Sequence, residues 1–418
     1  MITRTIHAMR LAVLTGVVMS ASWTNADEIT DLLSQSAVGS AIDALKASEP
    51  ELMRDQIRIC QIPAPPFHES ARAAAMKTAF EQAGLSNVRV DRVGNVLGDW
   101  PAVAARPHVV VAAHLDTVFP EGTDIRITRD GSRLRGPGIG DDCRGLAALI
   151  AIARTLSARR IQVRGSITFV ADVGEEGLGD LRGVRELFAA TLKGSVDQFV
   201  SIDGAGLFVT TGGVGSRRYR VTFSGPGGHS YATFGTPNPI HAMGRAIQKI
   251  AELHVPSQPK TTFSVGRVGG GTAINAIPSD CWMEVDLRSV GAPELASLTE
   301  KFEQAIDAAV REENGRWTSA QGVSAKKELV GDRPAGRTPA DSAIVQRARR
   351  VARTLGLTMP ENESSTDSNV PMQLGIPAVT IGAGGIGSGQ HTVGETFETT
   401  DAWRGTQYAM LLALALAQ

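Results

Sequence analysis

The sequence predicts an α/β fold in which a mainly parallel sheet, covered by helices, is interrupted by a smaller α+β unit. Two observations carry this. Compact apolar runs, "HVVVAAH" (108–114), "GSITFVAD" (165–172) and "DQFVSID" (197–203), alternate with helix-like segments such as "CRGLAALIAIARTL" (143–156), and strands that are apolar throughout belong to sheets covered on both faces. Around Gly212 this pattern gives way to strand, helix, two strands and helix, and it resumes near residue 326. At 418 residues, 42% of them hydrophobic, the chain can fill two such units with core.

Taken in order, the elements begin with a leader. Basic Arg4 and Arg10, an apolar run from Leu11 to Met19 and small residues up to Ala26 read as a cleaved secretory signal over residues 1–26. That run is too short to span a bilayer, so the mature protein is expected to be exported, periplasmic or secreted, and free of the membrane. Removing Arg4 and Arg10 from the 42 basic side chains leaves 40 against 43 acidic ones, a formal charge of −3. Such a balance offers no footprint for nucleic acid. The three cysteines, Cys60, Cys143 and Cys281, are too few and too scattered to spell a disulfide framework. Cys60 and Cys281 are expected to be small apolar core residues, and Cys143 a small residue at a helix start.

Periodic apolar positions in "ARAAAMKTAFEQAGL" (71–85) predict an amphipathic helix ended by Gly84, and "NVRVDRVG" (87–94) a short strand. The main unit is expected over residues 27–212 and 326–418. Its second part carries a helix at "SAIVQRARRVARTLG", a strand at "PAVTIGAGG" and a last helix. Between them, residues 213–325 spell an inserted open-faced sandwich: "SRRYRVTFSG", "NPIHAMGRAIQKIAEL", a strand pair within 261–289, and "PELASLTEKFEQAIDAAVREE".

The chemistry gathers at the ends of the strands. His114 closes the first apolar run, with Asp116 two residues on; Glu175 and Glu176 follow the second run; Asp203 ends the third. In an open α/β sheet these carboxyl ends share one edge, where ligands bind. The glycine-rich turn "GPGIGDDCRG" brings Asp141 and Asp142 to that edge, Asp142 as a helix N-cap, and "GSGQHT" brings His391. So many carboxylates repel one another unless protons or a cation sit among them. Mixed imidazole and carboxylate donors suit zinc, and also cobalt or manganese, and the count suffices for two ions if one carboxylate bridges. Asp116 is placed to accept the second N–H of a His114 bound to metal. Neighbouring Glu175 and Glu176 point to opposite sides of an extended segment, so one can ligate while the other faces a water. Acidified by a metal to a pKa of about 7, that water would surrender its proton to the carboxylate, which can pass it to a leaving amine. That is amide hydrolysis.

The motifs "HLDTV", "GPGIGDD", "GEEG", "SIDG", "GGHS", "NAIP", "DLR" and "GQHT" together resemble the dinuclear-zinc metallopeptidases that include peptidase T, carboxypeptidase G, aminoacylase and acetylornithine deacetylase. The resemblance covers nearly the whole mature chain. It implies that His114 and Asp203 hold one zinc, Glu176 and His391 the other, with Asp141 bridging, Glu175 as general base and Asp116 as partner of His114. It further implies that the insert is a ferredoxin-like lid and dimerisation domain, with "SRRYRVTFSG" able to pair with its copy in a homodimer. His229 of this insert would reach the neighbouring subunit's site and stabilise the oxyanion, and Asn275 and Arg288 would hold the substrate. Taken structurally, Arg288 would simply pair with Asp286 or Glu284. Where relatives often carry D-x-K-G, this chain has "DDCRG", which puts Cys143 beside the metal site as a soft ligand or an oxidation point. Aspartate at position 203 and the "STDSN" segment (365–369) resemble the family's di- and tripeptidases. The expected function is a zinc exopeptidase of small peptides. The runner-up is an N-acyl amino acid amidohydrolase or glutamate-type carboxypeptidase, and a non-catalytic peptide-binding protein is the remote reading.

Overall fold

The computed structural model describes residues 27–418, so the leader expected at residues 1–26 lies outside the described residues. Four helices precede the sheet among the described residues, at Asp27–Ser34, Ser36–Ala47, Glu49–Cys60 and Ser70–Gln82, of which the last two are α1 and α2. Helix α2 ends as its sequence requires: Gly84 has φ +86°, a left-handed conformation that lets the chain reverse after the last turn.

The strands β1 (Ser86–Val90), β2 (Val96–Trp100) and β3 (His108–His114) are followed by α3 (Cys143–Arg159), β4 (Ser166–Asp172), β5 (Gln198–Ile202) and β6 (Val209–Gly213). Every residue of β3 is buried, as an apolar run through the middle of a covered sheet demands. The chain then enters the smaller unit: β7 (Gly215–Ser224), α4 (Pro239–Ala251), β8 (Thr261–Gly270), β9 (Asp280–Ser289), α5 (Ala292–Gly315) and β10 (Ser324–Arg333). It returns through β11 (Gly336–Arg337), α6 (Ala343–Thr354), β12 (Glu361–Ser364), β13 (Ala378–Ile381) and α7 (Trp403–Leu416).

In the large sheet the order is β1-β2-β4-β3-β5-β13-β6-β11, with β12 also paired to β6. The four central strands β4, β3, β5 and β13 run parallel. Outside them the pairings β1–β2, β2–β4, β13–β6 and β6–β11 are antiparallel and β12–β6 is parallel, so the sheet is mixed around a parallel centre. Helices α3, α6 and α7 pack their apolar faces into one continuous core with β3 and β4. Expelling that surface from water is the main force holding the layers.

The smaller sheet has the order β8-β9-β7-β10 and is antiparallel throughout, with α4 and α5 against it, which is the ferredoxin-like arrangement. Two expectations change here. Strand β10 pairs with β7 as far as Arg333↔Ser216, so the return expected at residue 326 falls inside this strand. The strand runs on through an irregularity between Leu329 and Gly331 and ends only at Arg333. Strand β7, the "SRRYRVTFSG" strand, lies between β9 and β10. Its backbone groups are already paired on both sides, so it offers no free edge to a second copy.

A third expectation is overturned. Cys60 and Cys143 are joined in a disulfide, with Cα atoms 5.4 Å apart and a separation of 83 positions in sequence. Cys60 is the last residue of α1 and Cys143 the first of α3, and the packing of those helices brings them together. Cys143 starts its helix as expected, but as a cross-linked residue and not a free thiol. Cys281 is free and buried, and burial pushes its thiol up to about 12.

Candidate metal centre and active site

His114 ends β3 and is 1% exposed. Its Nδ1 lies 3.0 Å from the backbone oxygen of Asp116, which can only accept, so Nδ1 carries the proton and the Nε2 lone pair is left for a ligand. The carboxylate of Asp116, expected as the imidazole's partner, stands 3.7 Å from Nδ1. It does something else: Oδ1 accepts the backbone N–H of Glu175 at 3.0 Å and Oδ2 that of Glu176 at 2.7 Å. One residue therefore orients the first histidine through its carbonyl and the Glu–Glu pair through its side chain.

His114 Nε2 lies 3.0 Å from Asp141 Oδ1 and 3.9 Å from Asp203 Oδ1. On the opposite side, His391 Nε2 lies 3.1 Å from Asp141 Oδ2 and 3.0 Å from Glu176 Oε1. The donor atoms of His114, Asp141 and Asp203 lie within 4.8 Å of one another, as do those of Asp141, Glu176 and His391. Asp141 belongs to both groups, turning one carboxylate oxygen to each histidine, which is the geometry a bridging ligand needs. All five residues expected as ligands meet here.

The loop carrying Asp141 is held from a distance. Glu395, 3% exposed, accepts the backbone N–H groups of Gly138, Gly140 and Asp141 at 2.8 to 3.1 Å. Asp142, joined to Asp141 by a cis peptide, accepts from Gly145 N and caps α3, as its sequence position predicts. Gln390 donates to Asp141 Oδ2 at 2.5 Å. No pattern in the sequence gives Glu395 or Gln390 a role, although both flank His391 within four residues.

The electrostatics match the donor set. Burial pushes Glu175 up to about 8, with Arg333 opposing and Glu176 adding to the rise. Burial also raises Asp203 well above the usual carboxylate range, and repulsion from Asp141 raises it further. Asp141 and Glu176 hold His391 protonated up to about 10. Metal-free, the cluster keeps its charges apart only by holding protons; a divalent cation among the same nitrogen and oxygen donors removes that conflict. The residues therefore fit a metal centre. Two further acids that the sequence reading did not place, Asp172 at the end of β4 and Asp367 of "STDSN", are fully buried and are raised first of all by burial.

A cleft of about 590 Å³ opens over the centre, lined among others by Asp203, Phe208, Arg218, Arg288, Asn362 and Ser365. Arg288 faces it while its Nε donates to Asp286 at 2.6 Å, so the structural pairing and a place in the pocket coexist. His229 and Asn275 do not line it. Both are exposed: His229 lies on a short two-stranded ribbon, paired with Ala276, and Asn275 lies in the turn before that strand, its carbonyl accepting the N–H of Ser230 at 3.0 Å. His229 Nδ1 accepts the backbone N–H of Tyr231 at 3.2 Å, which leaves Nε2 outward. Arg333, which no motif marks, donates to Glu175 Oε1 at 2.9 Å.

Comparison with known proteins bears on the family and the fold. The pattern of peptidase family M20/M25/M40 matches residues 110–415. A succinyl-diaminopimelate desuccinylase of Nitrosospira multiformis is 28% identical over 261 residues, 58% of this chain and 68% of that one. Among solved structures, a tripeptidase from Staphylococcus aureus superposes with a TM-score of 0.74 at 21% identity, covering 88% of this chain and 99% of its own. A Bacillus subtilis protein described as a dinuclear metal binding peptidase from the M20 family superposes with a TM-score of 0.67 at 18% identity, covering 89% and 99%.

Proposed function

Because the chain belongs to peptidase family M20/M25/M40 and is a hydrolase of amide bonds, we propose that it is an exported zinc exopeptidase that cleaves di- and tripeptides. The observation that carries the reading is Asp141 set between two histidines, with Asp203 and Glu176 beside them and Glu175 lining the same cleft. His114 and Asp203 would hold one Zn²⁺ and Glu176 and His391 the other, shared through Asp141; cobalt or manganese would substitute. When bound, such ions would supply Lewis acidity to the scissile carbonyl and to the attacking water. Glu175 takes the proton of that water and delivers it to the departing amine. Asp116 keeps Glu175 and Glu176 in register through their backbone N–H groups. Arg288 receives a substrate carboxylate in a two-pronged grip. In a homodimer the exposed His229, with Asn275 beside it, would enter the partner's cleft and steady the oxyanion.

Export is supported by the composition of residues 1–26 and by the Cys60–Cys143 disulfide, a bond that persists in oxidising compartments. The likeness to a desuccinylase favours a second reading, deacylation of N-acyl amino acids at the same centre. A panel of tripeptides against N-acetyl and N-succinyl amino acids separates the two. Faster cleavage of peptides is expected, and rapid deacylation without peptide cleavage overturns the exopeptidase reading. Metal analysis after zinc loading is expected to give two equivalents per chain. Well under one would favour a peptide-binding protein on the same fold.

A further inference from the structure

The residue most closely tied to Glu175 is a cation that none of the recognised motifs contains. Arg333 donates through Nη1 to Glu175 Oε1 at 2.9 Å and through Nη2 to the backbone oxygen of the same glutamate. A second bond from Nη1 reaches Ser365 Oγ at 3.2 Å. Both side chains are nearly closed to solvent, 5% exposed for Arg333 and 6% for Glu175. With Asp116 accepting the N–H of Glu175, the glutamate has its N–H, its carbonyl and one carboxylate oxygen each held by a fixed partner. A guanidinium gripping both ends of one residue sets the side chain relative to its own backbone, which a single bond cannot do. One carboxylate oxygen, Oε2, is then the one left to receive a proton.

The position of Arg333 in the chain gives this grip a second consequence. It is the last residue of β10, paired to Ser216 of β7 in the smaller sheet, and three residues later the chain joins the large sheet as β11. Glu175, by contrast, follows β4 of the large sheet. The bond therefore crosses the junction of the two units, and a shift of the smaller unit would carry the guanidinium with it.

We propose that Arg333 is a positioning residue for Glu175, so that seating the smaller unit and aiming the base are one event. This rests on the reading of Glu175 as the base, and the test separates the two. Four zinc-loaded full-length proteins are compared on one cleavable substrate: wild type, Glu175→Gln, Arg333→Met and the double variant. Arg333→Met is expected to lower kcat about 30-fold with KM within about threefold of wild type and metal content unchanged. Added to Glu175→Gln it is expected to cost less than about threefold, because residues acting through one another are not additive. Equal losses in both backgrounds, a rise in KM with kcat kept, or an unchanged kcat would each overturn the proposal. Full activity in Glu175→Gln would instead overturn the base assignment. Should Arg333→Met fail to fold, Arg333→Lys keeps the charge but reaches only one of the two acceptors, and a kcat between wild type and about one tenth is expected. For that variant, wild-type kcat, or a changed KM alone, would overturn the proposal.

Discussion

Asp116 accepts the backbone N–H of Glu176 at 2.7 Å with one carboxylate oxygen, and its carbonyl receives Nδ1–H of His114 at 3.0 Å. One fully buried residue thus sets two candidate ligands, His114 through its carbonyl and Glu176 through its carboxylate, and only the second hold is lost with the side chain. Asp116→Ala is expected to weaken metal binding by roughly 10- to 100-fold, the usual cost of losing an orienting partner behind the ligands. Metal retained after dialysis against a graded chelator measures it; retention equal to wild type would remove Asp116 from the site.

The two neighbouring glutamates should separate by readout. Glu175→Ala is expected to keep its metal and lose at least ~10²-fold in kcat, whereas Glu176→Ala loses metal. The opposite pattern would exchange their roles.

Cys60 and Cys143 can be counted chemically. Denatured, unreduced protein is expected to show one reactive thiol, Cys281, and reduced protein three. Because the bond closes a separation of 83 positions, replacing both cysteines by alanine should cost up to about 4 kcal/mol through the freedom returned to the unfolded chain. A urea midpoint equal to wild type would place the bond outside the stability of the fold.

Glu313 should lend acid sensitivity to the smaller unit. Burial raises the carboxyl of Glu313 on α5, but the N–H of Asn238, the Trp317 indole and the Arg245 guanidinium outweigh it, and the net shift is downward. A carboxyl lowered in the folded state contributes stability above its unfolded value, about 4.3, and loses it as pH falls through the folded value. Wild type should therefore lose urea resistance between pH 5 and 3 more steeply than Glu313→Gln. Parallel losses would show that Glu313 does not contribute.

His229 should work only across two chains. His229→Ala and Glu175→Ala are each expected to be nearly inactive. Refolded together at equal amounts, half of the dimers are mixed and one of their two sites is whole, so about a quarter of wild-type activity should return. Background activity in confirmed mixed dimers would end the cross-subunit role. The contact between copies cannot be made by β7, which is paired on both sides. Exposed Tyr231, Phe234 and Ile274 near the ribbon offer apolar surface for it.

The sequence by itself determined the parallel centre of the sheet and the ligand edge. Short, mainly apolar runs alternating with helix-like segments read as buried parallel strands, and the acids at their ends then share one side of the sheet, which places His114, Glu175, Glu176 and Asp203. The glycine-rich turn and the histidine after β13 carry motifs dense enough to be read without coordinates. Tertiary structure decided what depends on pairs distant in sequence. Cys60 meets Cys143 because two helices pack, Glu395 reaches the Asp141 loop because the strand Thr396–Glu398 pairs with Arg133–Arg135 just ahead of that loop, and Arg333 reaches Glu175 because β10 continues past residue 326 to the junction of the units. Even the role of Asp116 divided in this way. Spacing placed it beside His114, but only the fold could show that its carboxylate turns away from the imidazole to the backbone of the neighbouring loop, where two N–H groups at the end of a buried strand need an acceptor.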